Sequence, residues 1–225
     1  MRRVLTALCM LLLTACASLP AHRPAGFVDA AQVVPGLVVE MRYASAHNFV
    51  GRPVHGYRRP VCLLTAQAAT ALAKVQADLA ADGQGLKVYD CYRPRRAVAD
   101  FARWARDLRD VGTKAEFYPD VDKTRLFELG YIAARSGHSR GSTLDLTLVR
   151  LGAPPGDIDM GTPFDLFSPR SWPSDRTVSP SARANRGRLA AAMVRRGFKP
   201  LQQEWWHFTL IGEPYPERDF DFAVR

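Results

Sequence analysis

Four short segments of the chain predict strands, and in the clearest of them apolar and polar positions alternate. They are residues 37–43, 86–92, 144–149 and 205–211. In the third segment, Leu144, Leu146 and Leu148 fall on one face, which must be the core side. Because successive side chains of a strand point to opposite faces, Asp145 and Thr147 are expected on the other side.

The last predicted strand shows the same arrangement. Trp206, Phe208 and Leu210 share its apolar face, and His207 points away from them. The carboxylate of Asp145 and the imidazole of His207 are therefore both expected to project from rigid strands with an apolar backing. Such a backing holds polar side chains in fixed positions, which makes both residues candidates for a functional site.

Apolar residues spaced three and four positions apart predict three helices. The helices span residues 65–82, 94–108 and 179–196. Thr65 and Ser179 can cap the first and the third helix, and Pro94 can open the second. Since strands and helices do not alternate strictly, we predict a single compact α+β domain over residues 31–225, with a mainly antiparallel sheet flanked by helices.

Two long connections separate these elements. Residues 44–61 are rich in Gly, Pro and aromatic residues and are expected to form an ordered loop. Residues 152–180 are rich in Pro, Gly, Ser and Asp. Because long loops inside a compact domain tend to be functional, the second connection is a candidate source of site residues.

The N-terminus has the pattern of an export signal. Two arginines precede an apolar stretch over residues 4–15, which is too short to span a bilayer as a stable helix. The sequence Leu13-Thr14-Ala15-Cys16 resembles the lipobox of bacterial lipoproteins, in which the signal is removed before a cysteine that is then lipidated. We expect residues 1–15 to be a signal peptide and residues 16–30 to be a tether.

The residue after Cys16 indicates where the protein would be held. It is Ala17 rather than an aspartate, and by resemblance to Gram-negative lipoproteins this favours the outer membrane. The expected location is therefore the cell envelope, facing the periplasm, with membrane anchoring through the lipidated Cys16. The alternative is a plain secretion signal that is cut at a nearby small residue.

Composition and charge narrow the function classes. The chain is 47% hydrophobic, which excludes a disordered protein, and its formal net charge of +9 suggests nucleic-acid binding. Five arginines lie around the third predicted helix without interleaved aromatic residues for base stacking: Arg183, Arg186, Arg188, Arg195 and Arg196. Removal of residues 1–15 lowers the charge to +7, and export separates the chain from genomic nucleic acid. We expect no nucleic-acid partner, and a basic surface that faces anionic envelope polymers.

The cysteines support the export prediction. Of the four, Cys9 is lost with the signal and Cys16 is the lipidation candidate, which leaves Cys62 and Cys91. An even pair in an oxidising compartment predicts a disulfide, and two buried free thiols are the alternative.

His138, Asp145 and His207 form a candidate metal site. His138 lies in a Gly- and Ser-rich turn before its strand, and the other two residues project from strands. Two histidines and one carboxylate that leave a fourth position open suit a catalytic zinc ion. Glu204, three residues before His207, is placed beside a metal-bound water and can act as the general base. For each residue taken alone, a structural role is the alternative.

Arg93 is a candidate for stabilising the transition state. It stands just before Pro94, at a predicted corner between a strand and a helix that can aim a guanidinium rigidly. Hydrolysis of an amide places negative charge on the carbonyl oxygen, which a fixed arginine can stabilise. Asp90 could orient Arg93, and the alternative is a surface salt bridge of small effect.

Taken in order, these segments resemble the zinc D-alanyl-D-alanine dipeptidases, the family that includes the vancomycin-resistance dipeptidases. The motifs are Met41-Arg42-Tyr43-Ala44, Asp90 through Pro94, Ser136 through Leu148, Phe164-Asp165, Glu204-Trp205-Trp206-His207 and Phe220-Asp221-Phe222. The resemblance extends from about Val33 to Phe222, nearly the whole of the exported chain. Each motif alone is modest, but the ordered set is specific.

The resemblance implies a compact α+β fold shared with zinc D,D-carboxypeptidases, and hydrolysis of the dipeptide D-alanyl-D-alanine. It implies one zinc ion per chain, held by His138, Asp145 and His207. A metal-bound water would be the nucleophile, with Glu204 as general base and acid and Arg93 as the transition-state donor.

The resemblance also implies residues that bind the dipeptide. Ser136 is similar to a residue that helps to hold the substrate carboxylate. Asp165 and Tyr43 are similar to contacts near the free amine of the substrate, and Tyr57 lies in another segment that lines the small pocket.

Two features depart from the family pattern. Cys91 lies inside the Arg93 motif, and a disulfide with Cys62 would brace the corner that carries Arg93. The leader is the second departure, because the resistance enzymes of the family act in the cytoplasm. An exported enzyme would meet dipeptide outside the inner membrane, which predicts scavenging or turnover of wall fragments.

Two other functions stay open. A zinc D,D-carboxypeptidase or endopeptidase that acts on peptidoglycan stem peptides must leave the amine side of its pocket open. A dipeptidase needs a closed pocket and a carboxylate for the ammonium group, which Asp165 would supply. The third function is a non-catalytic wall-binding lipoprotein, which would have no need of the intact His138, Asp145, Glu204 and His207 set.

Overall fold

The structure is a computed structural model that describes residues 23–152 and 156–225. The strands are β1 Phe27–Asp29, β2 Val38–Val39, β3 Leu63–Thr65, β4 Gln84–Asp90, β5 Thr143–Arg150, β6 Gly156–Asp157, β7 Phe198–Pro200 and β8 His207–Leu210. The helices are α1 Ala30–Val33, α2 Ala66–Ala80, α3 Arg95–Arg106, α4 Lys114–Phe117 and α5 Pro180–Arg195. Short 3₁₀ turns lie at Arg42–Ala44, Lys123–Arg125, Gly137–Arg140 and Pro169–Ser171.

The main sheet has the strand order β2-β4-β5-β8-β7, and β6 pairs with β5. Its pairs are antiparallel except for β2, which runs parallel to β4. A second sheet contains β1 and β3 in antiparallel pairing. The predicted α+β class with a mainly antiparallel sheet is confirmed.

The caps that the sequence predicts position the long helices. Thr65 Oγ1 accepts a hydrogen bond from the Ala68 amide at the start of α2, and Ser179 Oγ accepts one from Ala182 at the start of α5. Pro94 immediately precedes α3. α2 packs against β4, and α5 packs against β5, β7 and α2, so both helices help to cover the sheet.

Both faces of β5 are covered. Leu144, Leu146 and Leu148 are fully buried, as the alternation predicts, and Asp145 and Thr147 on the opposite face are each only 2% exposed. The polar face of this strand is therefore enclosed rather than open to solvent. Enclosure of a carboxylate in this way demands a partner for its charge.

Three predicted elements differ in the structure. The strand expected over residues 37–43 is limited to β2, because the chain turns into a 3₁₀ helix at Arg42–Ala44. Within the tether expected over residues 16–30, Phe27–Asp29 instead forms β1, since this segment pairs with β3. The last strand begins at His207, so Trp206 lies before it and packs edge-on against Phe164 with ring centroids 5.3 Å apart.

The predicted leader and Cys16 lie outside the described residues. Within the described ranges, no helix combines the length and the hydropathy that a membrane crossing requires.

Candidate active site

Three elements bring the candidate metal ligands together. Asp145 in β5 pairs directly with His207 at the start of β8, so the two side chains stand side by side on the sheet. His138 lies in the 3₁₀ turn Gly137–Arg140, which Ser136 caps by accepting a hydrogen bond from the His138 amide. Gly141 ends the turn in the left-handed region at φ +83°, where any Cβ would clash with the Phe27 ring.

The three side chains offer one compact set of donor atoms. His138 Nε2 lies 3.3 Å from Asp145 Oδ1 and 3.3 Å from His207 Nδ1, and His207 Nδ1 lies 3.0 Å from Asp145 Oδ1. A tetrahedral zinc site with bonds of about 2.0 Å has about 3.3 Å between neighbouring ligand atoms. In the described part of the chain, Asp145 Oδ1 is buried and makes no hydrogen bond. The donor set therefore fits a zinc ion, and the orphaned oxygen is the atom that such an ion would satisfy.

The surroundings prepare His138 as a ligand. Its Nδ1 lies 2.8 Å from the carbonyl oxygen of Cys91 and 3.4 Å from the Asp90 carboxylate. Both neighbours are acceptors, so the proton of the neutral ring belongs on Nδ1 and Nε2 is left free. Burial alone would raise the pKa of Asp145, but the imidazoles of His138 and His207 hold it below its ordinary value.

Glu204 stands at the edge of this donor set. Its Oε2 lies 3.4 Å from His207 Nδ1, and a turn joins the two residues. Burial raises the pKa of the Glu204 carboxyl, with the nearby Asp145 charge adding to the rise. A carboxyl with a raised pKa beside a metal site can accept a proton and give it back, as the sequence predicts for this residue.

Arg93 is held rigidly beside the donor set. Its Nε donates to Asp90 Oδ2 at 2.8 Å, and its Nη2 lies 2.7 Å from the same oxygen. Nη2 also lies 3.6 Å from Asp145 Oδ2, and the guanidinium packs against the rings of Tyr43 and Phe101. The predicted role of Asp90 in orienting Arg93 agrees with this geometry.

Asp165 supplies a second buried carboxyl in the same cleft. It accepts a hydrogen bond from the Tyr43 hydroxyl at 2.8 Å, and it is the one non-glycine residue with positive φ, +62°, among the residues described. Burial raises the pKa of Asp165 well above its ordinary value, and the charge of Asp145 adds to this effect. A buried carboxyl that forms no ion pair with any of the described residues is suited to a cationic ligand.

These residues line one cleft of about 200 Å³. The predicted residues that line it are Tyr43, Arg93, Ser136, His138, Asp145, Asp165, Glu204 and His207. The expectation that the segment of Tyr57 lines the pocket is wrong, because Tyr57 lies outside the lining of the cleft. Its hydroxyl instead donates to Asp90 Oδ1 at 2.5 Å, so it supports the residue that orients Arg93.

The cleft also contains lining residues that the sequence analysis missed. Most are apolar or aromatic, and Arg135 is the charged member of the set: Phe49, Val98, Phe101, Gly130, Tyr131, Ile132, Ala133, Arg135, Gly137, Phe167 and Leu201. Tyr131 stacks on Phe167 with centroids 5.1 Å apart. Phe101 lies in the helix predicted over residues 94–108, where apolar spacing indicates burial only, and nothing in the local sequence distinguishes a ring that lines a cleft from one in the core.

The predicted disulfide is present. Cys62 and Cys91 are bonded, and their Cα atoms lie 5.3 Å apart. Cys91, one end of the bond, lies one residue after Asp90 and two residues before Arg93. The bond therefore braces the corner whose backbone carbonyl contacts His138.

The sequence is similar to known proteins over most of its length. The sequence model of the family described as D-ala-D-ala dipeptidase matches residues 23–225. The D-alanyl-D-alanine dipeptidase of Enterococcus faecium is 40% identical over 201 residues, which cover 89% of this chain and 98% of that protein. The enzyme of the same name from Streptomyces coelicolor is 42% identical, over 88% of this chain and 96% of the relative. That of Escherichia coli is 38% identical, over 81% and 83%.

Among solved structures, a variant of the vancomycin-resistance D,D-pentapeptidase VanY in complex with Zn(II) is similar, with a TM-score of 0.33 and 16% identity. The match covers 71% of this chain and 78% of that one. The family model and the sequence relatives carry the assignment, because they cover most of the chain and the candidate site residues lie within residues 23–225, which the family model matches. The chain therefore belongs to the D-ala-D-ala dipeptidase family of metallopeptidases.

Proposed function

We propose that this protein hydrolyses free D-alanyl-D-alanine to two molecules of D-alanine, with one zinc ion bound per chain. The observation that carries the proposal is a small cleft with two chemically different ends. The metal end contains His138, Asp145, His207 and Glu204, and the amine end contains Asp165 with Tyr43. A short peptide with a free ammonium group fits between a cation site and a buried carboxyl.

The metal end supplies the hydrolytic chemistry. A zinc ion on His138, Asp145 and His207 would polarise the substrate carbonyl and lower the pKa of water. Glu204 takes a proton from the attacking water and delivers one to the nitrogen of the leaving amine. Arg93, fixed by Asp90, donates hydrogen bonds to the negative charge that develops on the carbonyl oxygen.

The amine end accounts for the length of the substrate. The carboxyl of Asp165 is buried, and an ammonium group placed beside it would replace lost solvation with an ion pair. The Tyr43 hydroxyl holds one carboxylate oxygen and leaves the other for the substrate. Ser136 lies near His138 in the same cleft and would contact the substrate carboxylate.

A substrate panel separates this function from a D,D-carboxypeptidase. Purified protein would be given D-Ala-D-Ala, L-Ala-L-Ala, N-acetyl-D-Ala-D-Ala and a stem pentapeptide that ends in D-Ala-D-Ala, with and without a chelator. We expect chelator-sensitive hydrolysis of D-Ala-D-Ala at the highest kcat/KM of the set, because only this substrate combines the D configuration with a free ammonium group one residue from the scissile bond, where Asp165 can pair with it. Faster release of D-Ala from the pentapeptide would overturn the dipeptidase assignment.

We further propose that the protein works in the cell envelope as a lipoprotein anchored through Cys16. The lipobox sequence at residues 13–16 and the Cys62–Cys91 disulfide, a bond typical of exported proteins, support this location. Metabolic labelling with an alkyne fatty acid should mark the full-length protein and fail on a Cys16→Ser variant. Equal labelling of both would contradict lipidation at this residue.

A further inference from the structure

Arg186 in the middle of α5 is a buried cation that the proposed reaction does not use. The residue is only 3% exposed, and no carboxylate oxygen within the described ranges lies at ion-pair distance from its guanidinium. A buried charge is expensive unless its hydrogen-bonding capacity is met. The contacts that meet this need therefore indicate what the residue does.

The guanidinium binds both ends of one loop segment. Nε donates to the carbonyl oxygen of Met160 at 2.7 Å, and Nη1 donates to that of Trp172 at 2.9 Å. Nη2 donates to Thr162 Oγ1 at 3.2 Å. A single side chain thus fixes residues 160–172, the segment that carries Asp165.

The hydroxyl of Thr162 extends this contact to the metal end. It accepts a second hydrogen bond, from Trp205 Nε1 at 2.9 Å. The amide of Trp205 in turn donates to the carbonyl of Ser171 at 3.0 Å. Since Trp205 directly follows Glu204, the loop that carries Asp165 and the turn that carries Glu204 are joined through these groups.

Asp165 needs such support because its backbone is in the left-handed region. Its φ of +62° is unfavourable by about 1 kcal/mol for a residue with a Cβ atom, although aspartate tolerates it better than most. A conformation of this kind persists only when the surrounding structure holds it. The segment 160–172 contains only a short 3₁₀ turn, Pro169–Ser171. Backbone hydrogen bonds tie it to other segments at Phe167, whose amide donates to the carbonyl of Phe117, and at Ser171, so side-chain contacts add to this support nearer residue 160.

We propose that Arg186 and Thr162 are positioning residues that fix the place of Asp165 and thereby set the preference of the enzyme for a free amine. The inference rests on the proposed function, in which Asp165 pairs with the substrate ammonium group. Neither residue lines the cleft, so each acts through the loop rather than on the substrate.

Replacing Arg186 tests the proposal against a matched control on the same helix. Arg183 is half-buried and donates to the carbonyls of Arg176 and Val178, outside the 160–172 segment. Arg186→Met should raise KM for D-Ala-D-Ala by about 10- to 100-fold, as expected for a displaced binding group, with a much smaller change in kcat. Arg183→Met should match the wild type, and equal KM values for all three proteins would overturn the proposal.

Thr162 provides a second test if Arg186→Met fails to fold. Thr162→Val removes the shared hydroxyl and keeps the shape, whereas Thr162→Ser keeps the hydroxyl. We expect Thr162→Val to raise KM and to lower the ratio of kcat/KM for D-Ala-D-Ala to kcat/KM for its N-acetyl derivative. Thr162→Ser should keep both quantities at their wild-type values. Equal values for Val and Ser would contradict a positioning role for the hydroxyl.

A double-mutant cycle with Asp165→Asn distinguishes positioning from general stability. If Thr162 acts through Asp165, Thr162→Val should add no further loss of kcat/KM in the Asp165→Asn background. Additive losses would show that Thr162 acts elsewhere and would overturn the inference. Should Asp165→Asn alone retain full activity and amine preference, the proposed function of the amine end fails instead, and the two failures are thus distinguishable.

Discussion

The two ends of the cleft hold their carboxylates in opposite ways. At the metal end, Asp145 comes from a central strand, and its two imidazole neighbours keep its pKa low. At the amine end, Asp165 comes from a loop in a strained backbone conformation, and burial keeps its pKa high. Regular structure therefore fixes the proposed metal ligands, whereas side-chain contacts fix the carboxyl that is proposed to pair with the ammonium group.

The largest expected effect tests the metal end. Glu204→Gln removes the proton acceptor and keeps the size of the side chain, so kcat for D-Ala-D-Ala should fall by about 1,000-fold. Steady-state kinetics measure the loss, and zinc content by elemental analysis should stay at the wild-type level, since Glu204 is outside the ligand set. A variant that binds zinc and keeps its activity would remove Glu204 from the mechanism.

The disulfide tests how far the metal end depends on its covalent brace. Replacing both Cys62 and Cys91 by Ser should lower the free energy of unfolding by about 3–4 kcal/mol, because the bond closes a loop across 29 positions. Urea denaturation measures the change, and reductant should destabilise the wild type while leaving the double variant unaffected. An unchanged midpoint would show that the corner at Arg93 needs no brace.

Asp165→Asn tests the amine end directly. The substitution keeps the shape and removes the charge, so kcat/KM for D-Ala-D-Ala should fall by about 10- to 100-fold, mainly through KM. Saturation kinetics separate KM from kcat. A loss confined to kcat would mean that Asp165 serves the reacting atoms, and the contrast between the two ends would collapse.

The smallest expected effect comes from Asp100, a carboxylate outside the cleft. Its replacement should change the free energy of unfolding and leave the cleft unaffected. Arg52 and the amide of His55 overcome the effect of burial and lower the pKa of Asp100 to about 2. Because this folded-state pKa lies below the unfolded value of about 3.9, the stabilisation is complete above about pH 4 and is lost as the pH falls toward about 2.

With half of the Arg52 side chain exposed, solvent screening limits this contribution to about 1–2 kcal/mol. Urea denaturation of wild type and Asp100→Asn between pH 2 and pH 6 measures it. The two proteins should converge in stability at the acid end, while zinc binding at pH 7 should be equal. A constant difference across the pH range would contradict the linkage.

The sequence predicts the placement of the proposed metal ligand Asp145 because strand alternation has a physical consequence. Leu144, Leu146 and Leu148 must face the core, so the side of the strand that carries Asp145 is determined, and the pairing with His207 follows from the sheet. The loop that carries Asp165 has no such periodicity. The role of Asp165 is implied by the family resemblance alone, and no local pattern predicts its backbone conformation.

Two residues show where the prediction from sequence fails. The family resemblance places Tyr57 in a segment that lines the pocket, but in the structure its hydroxyl donates to Asp90, the residue that holds Arg93. No local sequence pattern predicts this tertiary contact. Arg186 is one of five arginines around one helix, and the sequence offers no reason to separate it from the others. In the fold, Arg186 is buried beneath residues 160–172, and its hydrogen bonds to that segment distinguish it from the other four arginines.

The central claim is that one cleft holds a metal-dependent reaction at one end and a free amine at the other. The most direct test is the ratio of kcat/KM between D-Ala-D-Ala and N-acetyl-D-Ala-D-Ala for the zinc-loaded wild-type protein. We expect a ratio of at least about 100, since acetylation removes the charge proposed to pair with Asp165 and adds atoms that the small cleft has no room for. Comparable values for the two substrates would contradict it.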